Sequence, residues 1–254
     1  MELKTIEKAL MVFKCFAQED SSLGTTELAN MLNTNKATMS RVLTTLKKHD
    51  FLEKDPRTRR YRLGPAMAEM ARAVNRTLSG RIVNVAAPVA NALRDEVGET
   101  VNIEVVSGNN IYLAYKADTP NPISLTIEVG DQVFPHAHAG AKAIVAFSQP
   151  EVIEKWLTRD FLQLTEDTIT DPDKLRKVFG EIRKTGIAYD SEEYLKEVYA
   201  IGAPIFNHEN NPVAALIIVV PSYRMKKKWK PRFIIQLKKA ANEISSRLHS
   251  SRKV

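Results

Sequence analysis

The chain is predicted to be an α+β protein in two parts: a small helical reader ending in a β-hairpin, then a larger domain around one mainly antiparallel sheet. Three observations carry that expectation. Between Thr25 and Gly64, two short amphipathic helix patterns and a basic hairpin follow one another with very short joins, the pattern of a winged helix-turn-helix. From Arg81 onward, hairpin-joined strand runs are mixed with helices, as in an α+β domain. Charge divides along the same line. Residues 36–62 carry nine Lys/Arg against three acids, and residues 63–223 carry 14 against 21. A surface that binds phosphate is therefore expected on the first part alone.

In chain order, residues 3–19 form a helix with Ile6, Leu10, Phe13 and Ala17 on the side expected to face the core, and Cys15 among the apolar positions. Leu28, Met31 and Leu32 repeat at helical spacing after Thr25 and Thr26, either of which can cap the helix. Asn33-Thr34-Asn35 breaks that pattern and can cap the next helix, Lys36 to about His49, whose apolar stripe is Met39, Val42, Leu43 and Leu46. Off the stripe lie Lys36, Thr38, Ser40, Arg41, Thr44 and Thr45, which with Asn35 suit base edges and phosphates. Phe51–Lys54 and Arg60–Leu63 read as the strands of a wing, with Arg57, Arg59 and Arg60 at or beside its tip. Pro65 then opens a connecting helix that reaches Leu78, with a weak break at Ser79-Gly80. The expected limits are therefore a reader over 1–64, a linker helix over 65–80 and a second domain over 81–254.

In that second domain, Arg81–Val97 is a helix closed by Gly98. Thr100–Val106, Asn110–Lys116 and Ile123–Val129 read as strands, and Gly140–Phe147, Glu151–Arg159 and Asp173–Thr185 as helices. Gly186–Tyr189, Ala200–Phe206 and Val213–Val220 are further strands before a closing helix at about Arg232–Leu248. The run Arg224–Lys230 is basic, and a solvated charge run is favoured over a second nucleic-acid contact or an anionic membrane surface. A length of 254 residues suits two cores. The absence of a signal peptide or membrane-length apolar run, with a single cysteine, predicts a cytoplasmic protein that contacts no membrane.

Nearly the whole chain, residues 3–250, resembles the isocitrate-lyase-regulator (IclR) family of bacterial transcription factors. The stretches that carry the resemblance in the reader are Thr26-Glu27-Leu28-Ala29, Lys36–Leu43 and Tyr61–Pro65. In the second domain they are Gly98–Val101, Pro135-His136-Ala137 with Gly140–Ala143, Thr168–Pro172, Asp190–Glu193, Ala203–Phe206 and Pro212–Leu216. The resemblance implies a GAF-like effector domain and homodimers that pair into tetramers. It also implies a pocket lined by His136, His138, Ala139 and Gly140, by Asp190, by Val198 and Ala200, and by Ile217 and Val219. Relatives that take small polar acids often have hydroxyls at the positions of Ile217 and Val219. Glu197 replaces a usual glycine, Tyr199 a usual arginine, and His138 is an additional imidazole. The expected effector is thus an organic acid, aromatic or otherwise bulky, and the expected DNA partner is a double-stranded inverted-repeat operator.

Two other functions compete. His136 and His138, two apart in extended chain, could hold a metal with a carboxylate in a metal-dependent enzyme, although a site needs three or four ligands. No P-loop, nucleophile elbow or dinucleotide fingerprint accompanies them, so neither catalysis nor a cofactor is expected. A constitutive architectural DNA-binding protein would not need so large a second core.

Overall fold

The computed structural model describes residues 4–18, 22–75, 77–119, 127–224 and 230–250. The chain divides into two compact units, Met1–Arg76 and Thr77–Val254.

In the first unit, α1 (Lys4–Gln18), α2 (Thr25–Met31) and α3 (Lys36–Lys48) precede a two-stranded wing, β1 (Leu52–Lys54) and β2 (Tyr61–Leu63). The core forms from Val12, Cys15 and Phe16 of α1, Leu28 and Ala29 of α2, Met39, Val42 and Leu43 of α3, and Leu52 and Tyr61 of the wing. The stripe expected on α3 is therefore the buried one. On α1 the phase is different: Ile6 and Leu10 are exposed, and the helix buries Val12, Cys15 and Phe16 instead. Neither Thr25 nor Thr26 caps α2. Gly24 is the N-cap, and its amide donates to Glu27 Oε2 at 2.8 Å. Asn35 does cap α3, with Oδ1 accepting from the Thr38 amide at 2.7 Å.

Next, α4 (Pro65–Asn75) starts at its proline, and α5 (Leu78–Val97) follows almost at once. The break expected at Ser79-Gly80 falls at Thr77. Its hydroxyl accepts from the Gly80 amide, so Ser79 and Gly80 lie in the first turn of α5.

The second unit is built on a six-stranded sheet, every neighbouring pair antiparallel, in the order β5-β4-β3-β8-β7-β6. Its strands are β3 (Thr100–Ser107), β4 (Asn110–Ala117), β5 (Gln132–Val133), β6 (Ala188–Ser191), β7 (Val198–Phe206) and β8 (Pro212–Pro221). Helices α5 and α9 (Lys230–Ser250) cover one face. There Val101, Ile103, Leu216, Ile218 and Ile201 meet Ala86, Leu93, Leu237 and Ile244. Helices α6 (Ala139–Phe147), α7 (Pro150–Leu157) and α8 (Pro172–Thr185) cover the other, over Ala200, Ala215, Ile217 and Val219. Because side chains alternate along a strand, the same strands serve two cores.

Of the strand expected at Ile123–Val129, residues 123–126 lie outside the described residues. Val129 and Gly130 form a turn, and β5 pairs with β4 just beyond it. In the basic run, Arg224 is ion-paired with Glu99 at 3.0 Å, and residues 225–229 lie outside the described residues. Among the described residues no helix is long and apolar enough to cross a membrane.

One close approach positions everything that follows. A Cβ on Gly202 of β7 would lie 2.8 Å from the Ala139 carbonyl group and 2.9 Å from the Gly140 nitrogen. Only glycine lets the start of α6 press onto the sheet there. The contacts are backbone, so no rotamer change relieves them. Gly202→Ala is expected to destabilise this unit by about 1–3 kcal/mol, and a urea midpoint equal to wild type would contradict the placement.

Candidate functional site

Two surfaces carry function-bearing side chains, one in each unit. In the first, Lys36, Ser40, Arg41, Thr44 and Thr45 are exposed on α3 and Thr38 is half-buried. The Thr44 and Thr45 hydroxyls donate to the Ser40 and Arg41 carbonyls at 2.7 and 3.0 Å. With their protons committed, they face outward as acceptors. At the wing tip, the Arg57 and Thr58 amides donate to Asp55 Oδ1, and Arg59 adopts a left-handed φ of 61°. Arg57 and Arg59 are exposed, and neither has an ion-pair partner among the described residues. Arg60 is different. Its guanidinium donates to both carboxylate oxygens of Glu27, at 3.0 and 2.7 Å, and to the Ser22 carbonyl at 2.8 and 2.6 Å. It therefore braces the wing against the start of α2, whereas Arg57 and Arg59 present free charge.

In the second unit, a cavity of about 40 Å³ opens between the sheet and the start of α6. The sheet register aligns its floor. Asn102 on β3 pairs with Ile217 on β8, and Ile217 with Gly202 on β7. One row along, Val219 pairs with Ala200, and Ala200 with Asp190 on β6. Of the nine pocket residues expected from sequence, His138, Ala139, Asp190, Val198, Ala200, Ile217 and Val219 line this cavity. Gly140 lies beneath it, where a Cβ would collide with Glu104 Oε2 and, at 2.7 Å, with Ile217.

His136 turns elsewhere. Its Nε2 is 3.0 Å from the Leu162 carbonyl, its ring lies 5.0 Å from that of Phe161, and burial holds its pKa below the usual value. The two histidines thus have different polar neighbours, although both rings lie near Phe134. Among the described residues no three His, Cys, Asp or Glu side chains are placed to hold a metal.

The sequence reading missed Asn102 and Glu104, together with Ile127, Tyr194 and Leu195. Asn102 and Glu104 had left a signal: polar residues two apart inside the strand run Thr100–Val106, both pointing to one face. Both are buried, at 4% and 3% exposure. Asn102 Oδ1, Glu104 Oε2 and His138 Nε2 have no hydrogen-bond partner among the described residues, although His138 Nδ1 approaches Glu104 Oε1 at 3.7 Å and the tilted Tyr194 ring lies 4.0 Å from the imidazole. Buried polar atoms are normally satisfied, so three orphans around one cavity leave hydrogen bonding that a bound molecule could complete.

The cavity wall carrying Tyr194 and Leu195 is held by charge. Asp190, implied by the resemblance to line the pocket, does so from β6. It is 3% exposed, and its Oδ1 accepts from the Glu193 and Tyr194 amides at 2.8 and 3.3 Å. Lys142 of α6, fully buried, donates to Glu193 at 2.5 Å and to the Tyr189 carbonyl at 2.9 Å. Thr165 and Thr168 bind the backbone of the same loop, through the Glu192 and Glu193 carbonyls. Glu192 and Glu197, at its two ends, both sit at left-handed φ, 63° and 62°. A glycine would hold the latter without strain, which accounts physically for the family preference at position 197.

A winged helix-turn-helix reader combined with a sensing domain of this architecture defines a ligand-binding transcriptional regulator. Residues 5–56 match the model of the IclR helix-turn-helix domain, and residues 74–246 match that of the bacterial transcriptional regulator IclR C-terminal domain. The chain belongs to the IclR family. It is 30% identical over 224 residues to the regulator BhcR of Paracoccus denitrificans, covering 88% of this chain and 79% of that one. The crystal structure of the Thermotoga maritima IclR shares the fold with a TM-score of 0.82 at 24% identity, over 97% of this chain and 99% of that one. An IclR homolog from Microbacterium hydrocarbonoxydans, solved in complex with 4-hydroxybenzoate, has a TM-score of 0.82 at 21% identity, with 96% and 98% covered.

Proposed function

We propose that this regulator binds an inverted-repeat operator as a homodimer, or as a pair of dimers, through α3 and the wing, and that a small organic acid in the cavity between β3, β6, β7, β8 and α6 controls that binding. The observation that carries the reading is the set of unpartnered polar atoms, Asn102 Oδ1, Glu104 Oε2 and His138 Nε2, enclosed in a domain separate from the reader. The solved complex of the Microbacterium homolog with an organic acid supports the ligand class. Control requires that the acid and the operator each prefer one arrangement of the dimer. The test is anisotropy of a labelled operator fragment titrated with full-length protein, with and without members of a metabolite-acid collection. Acids that bind should shift the operator affinity. A footprint with one unrepeated half-site would count against the symmetric assembly.

Size bears on the expected aromatic acid. A cavity that admits benzene measures about 150 Å³, and this one is about 40 Å³. Benzene, lactate and alanine each have six heavy atoms, so even a compact acid needs the cavity lining to give way, and a larger aromatic acid needs it to give way further.

The arginines separate by role. Arg41, exposed on α3 away from the apolar stripe, contacts a base edge or an adjoining phosphate. Arg41→Ala is expected to cost about 1–3 kcal/mol of operator affinity if it reads a base, with the fold intact. Replacing Arg57 and Arg59 should weaken specific and non-specific DNA alike, flattening the logarithmic salt slope by about 0.9 for each phosphate no longer neutralised. Arg60→Ala should instead loosen the wing itself, seen as faster amide exchange at Leu23 and Tyr61, which pair across a β-bridge. Equal salt slopes for wild type and the Arg57/Arg59 double variant would remove those two residues from the interface.

A further inference from the structure

Glu104 does not fit a pocket built only for carboxylates. It rises from the middle of β3, and its carboxylate lies against Gly140 in the first turn of α6. The amides of Ala139, Gly140 and Ala141 have no hydrogen-bond partner among the described residues, and the N-cap residue His138 makes no side-chain cap bond. The start of this nine-residue helix therefore offers three donors and the positive end of a dipole. Glu104 Oε2 stands beside those donors, 3% exposed as a residue, with no partner of its own among the described residues. Asn102 adds a second orphaned acceptor two residues away on the same strand face, Oδ1. The polar end of the cavity thus carries amide donors and, within a few ångströms of them, acceptors without donors.

A plain carboxylate satisfies only the first set. It would also bring its charge close to that of Glu104, in surroundings where like charges repel strongly. A molecule bearing a hydroxyl or an ammonium next to its carboxylate satisfies both, because its acid end faces the amides and its donor faces Glu104 and Asn102. The apolar remainder would rest on Ile217, Val219 and Ala200, and the smallness of the cavity favours a short one.

We propose that the effector is a compact 2-hydroxy or 2-amino acid, and that Glu104 is the residue that selects its donor group. This rests on the reading of an acid-controlled regulator given above. A site built to hydrogen-bond a donor rejects the analogue lacking it, because its buried acceptors are then left unpaired.

The test uses three acids of one carbon skeleton, propionate, lactate and alanine, measured by calorimetry and by melting temperature on the full-length protein. Lactate or alanine should bind at least ten-fold more tightly than propionate. Preference for alanine identifies the donor as an ammonium, and preference for lactate identifies a hydroxyl. Glu104→Ala should erase the discrimination. Glu104→Gln, nearly isosteric, keeps an acceptor but loses the charge, so it should weaken alanine more than lactate. Propionate binding as tightly as both overturns the proposal, as does discrimination that survives in Glu104→Ala. Binding by none of the three also overturns it. In that event, an operator complex that still responds to a larger acid without a donor leaves acid control standing, whereas a response to no acid removes that reading too.

Discussion

Lys142→Met is expected to lower the stability of the larger unit by about 3–5 kcal/mol, because it leaves the Glu193 carboxylate buried without its cation. The ammonium has no exposure and holds both Glu193 and the Tyr189 carbonyl, and burial already raises the Glu193 pKa. Removing the second charge as well should recover part of the loss. Lys142→Met combined with Glu193→Gln is therefore expected to be more stable than Lys142→Met alone. The reader contains no tryptophan, and Trp156 is buried in the larger unit, so tryptophan fluorescence in urea follows the unfolding of that unit without interference from the reader. A loss below about 1 kcal/mol for the single variant would mean that water or a rearranged loop serves Glu193. Tyr194 and Leu195 are tied down by the same ion pair, so the single variant should also bind its acid more weakly.

The second large effect depends on pH. Burial raises the Asp190 pKa from 3.8 to about 6, a rise limited by the nearby positive charge of Lys142, by His138 and by the hydrogen bond from the Glu193 amide, with the Glu193 carboxylate acting in the opposite direction. Between those two values, the folded protein holds a proton that the unfolded chain has released. Stability therefore falls as pH rises through this window, and above it the cost of burying the charge is fully present. At roughly 1.4 kcal/mol per pKa unit, that cost is about 3 kcal/mol. Asp190→Asn keeps an oxygen for the Glu193 and Tyr194 amides and has no proton to lose. It should match wild type near pH 4 and exceed it by about 3 kcal/mol at pH 7. Urea midpoints for both proteins across that range test this, and a difference that does not change with pH would refute it.

How much of this was legible in the sequence varied with how a residue declares its surroundings. The reader was clear because α3 has one wet face and one dry one, so its stripe of Met39, Val42 and Leu43 identifies the buried side. Apolar residues cover more of α1, and choosing Ile6 and Leu10 set the phase wrongly; Ile6, at 55% exposure, is on the outside. The long strands β3, β4, β7 and β8 were found, but not β5, and not that β3 is covered on both faces. Asn102 and Glu104 therefore went unread, although they interrupt an apolar run at the alternation of a strand. Lys142 was passed over in the same way, inside Gly140-Ala141-Lys142-Ala143-Ile144, where a lysine amid small apolar residues implies a buried partner. The partner, Glu193, is 51 residues away, and no local pattern connects them. His136 was assigned to the pocket through family likeness alone, and its contacts with Leu162 and Phe161 come from a segment whose course no periodicity announces.

The polar residues of β3 have a consequence beyond the ligand. A strand that slides by one position exchanges the two faces of its side chains. For β3, such a slip against β4 and β8 would drive Asn102 and Glu104 in among the apolar side chains of Leu93, Leu237 and Ile244. An all-apolar strand at the centre of this sheet would tolerate that misalignment, because either set of side chains would be acceptable on either side. With Glu104 present, the misaligned sheet is heavily penalised while it is still assembling. The chemistry that recognises a small molecule in the finished protein thus also keeps the strands in step during folding.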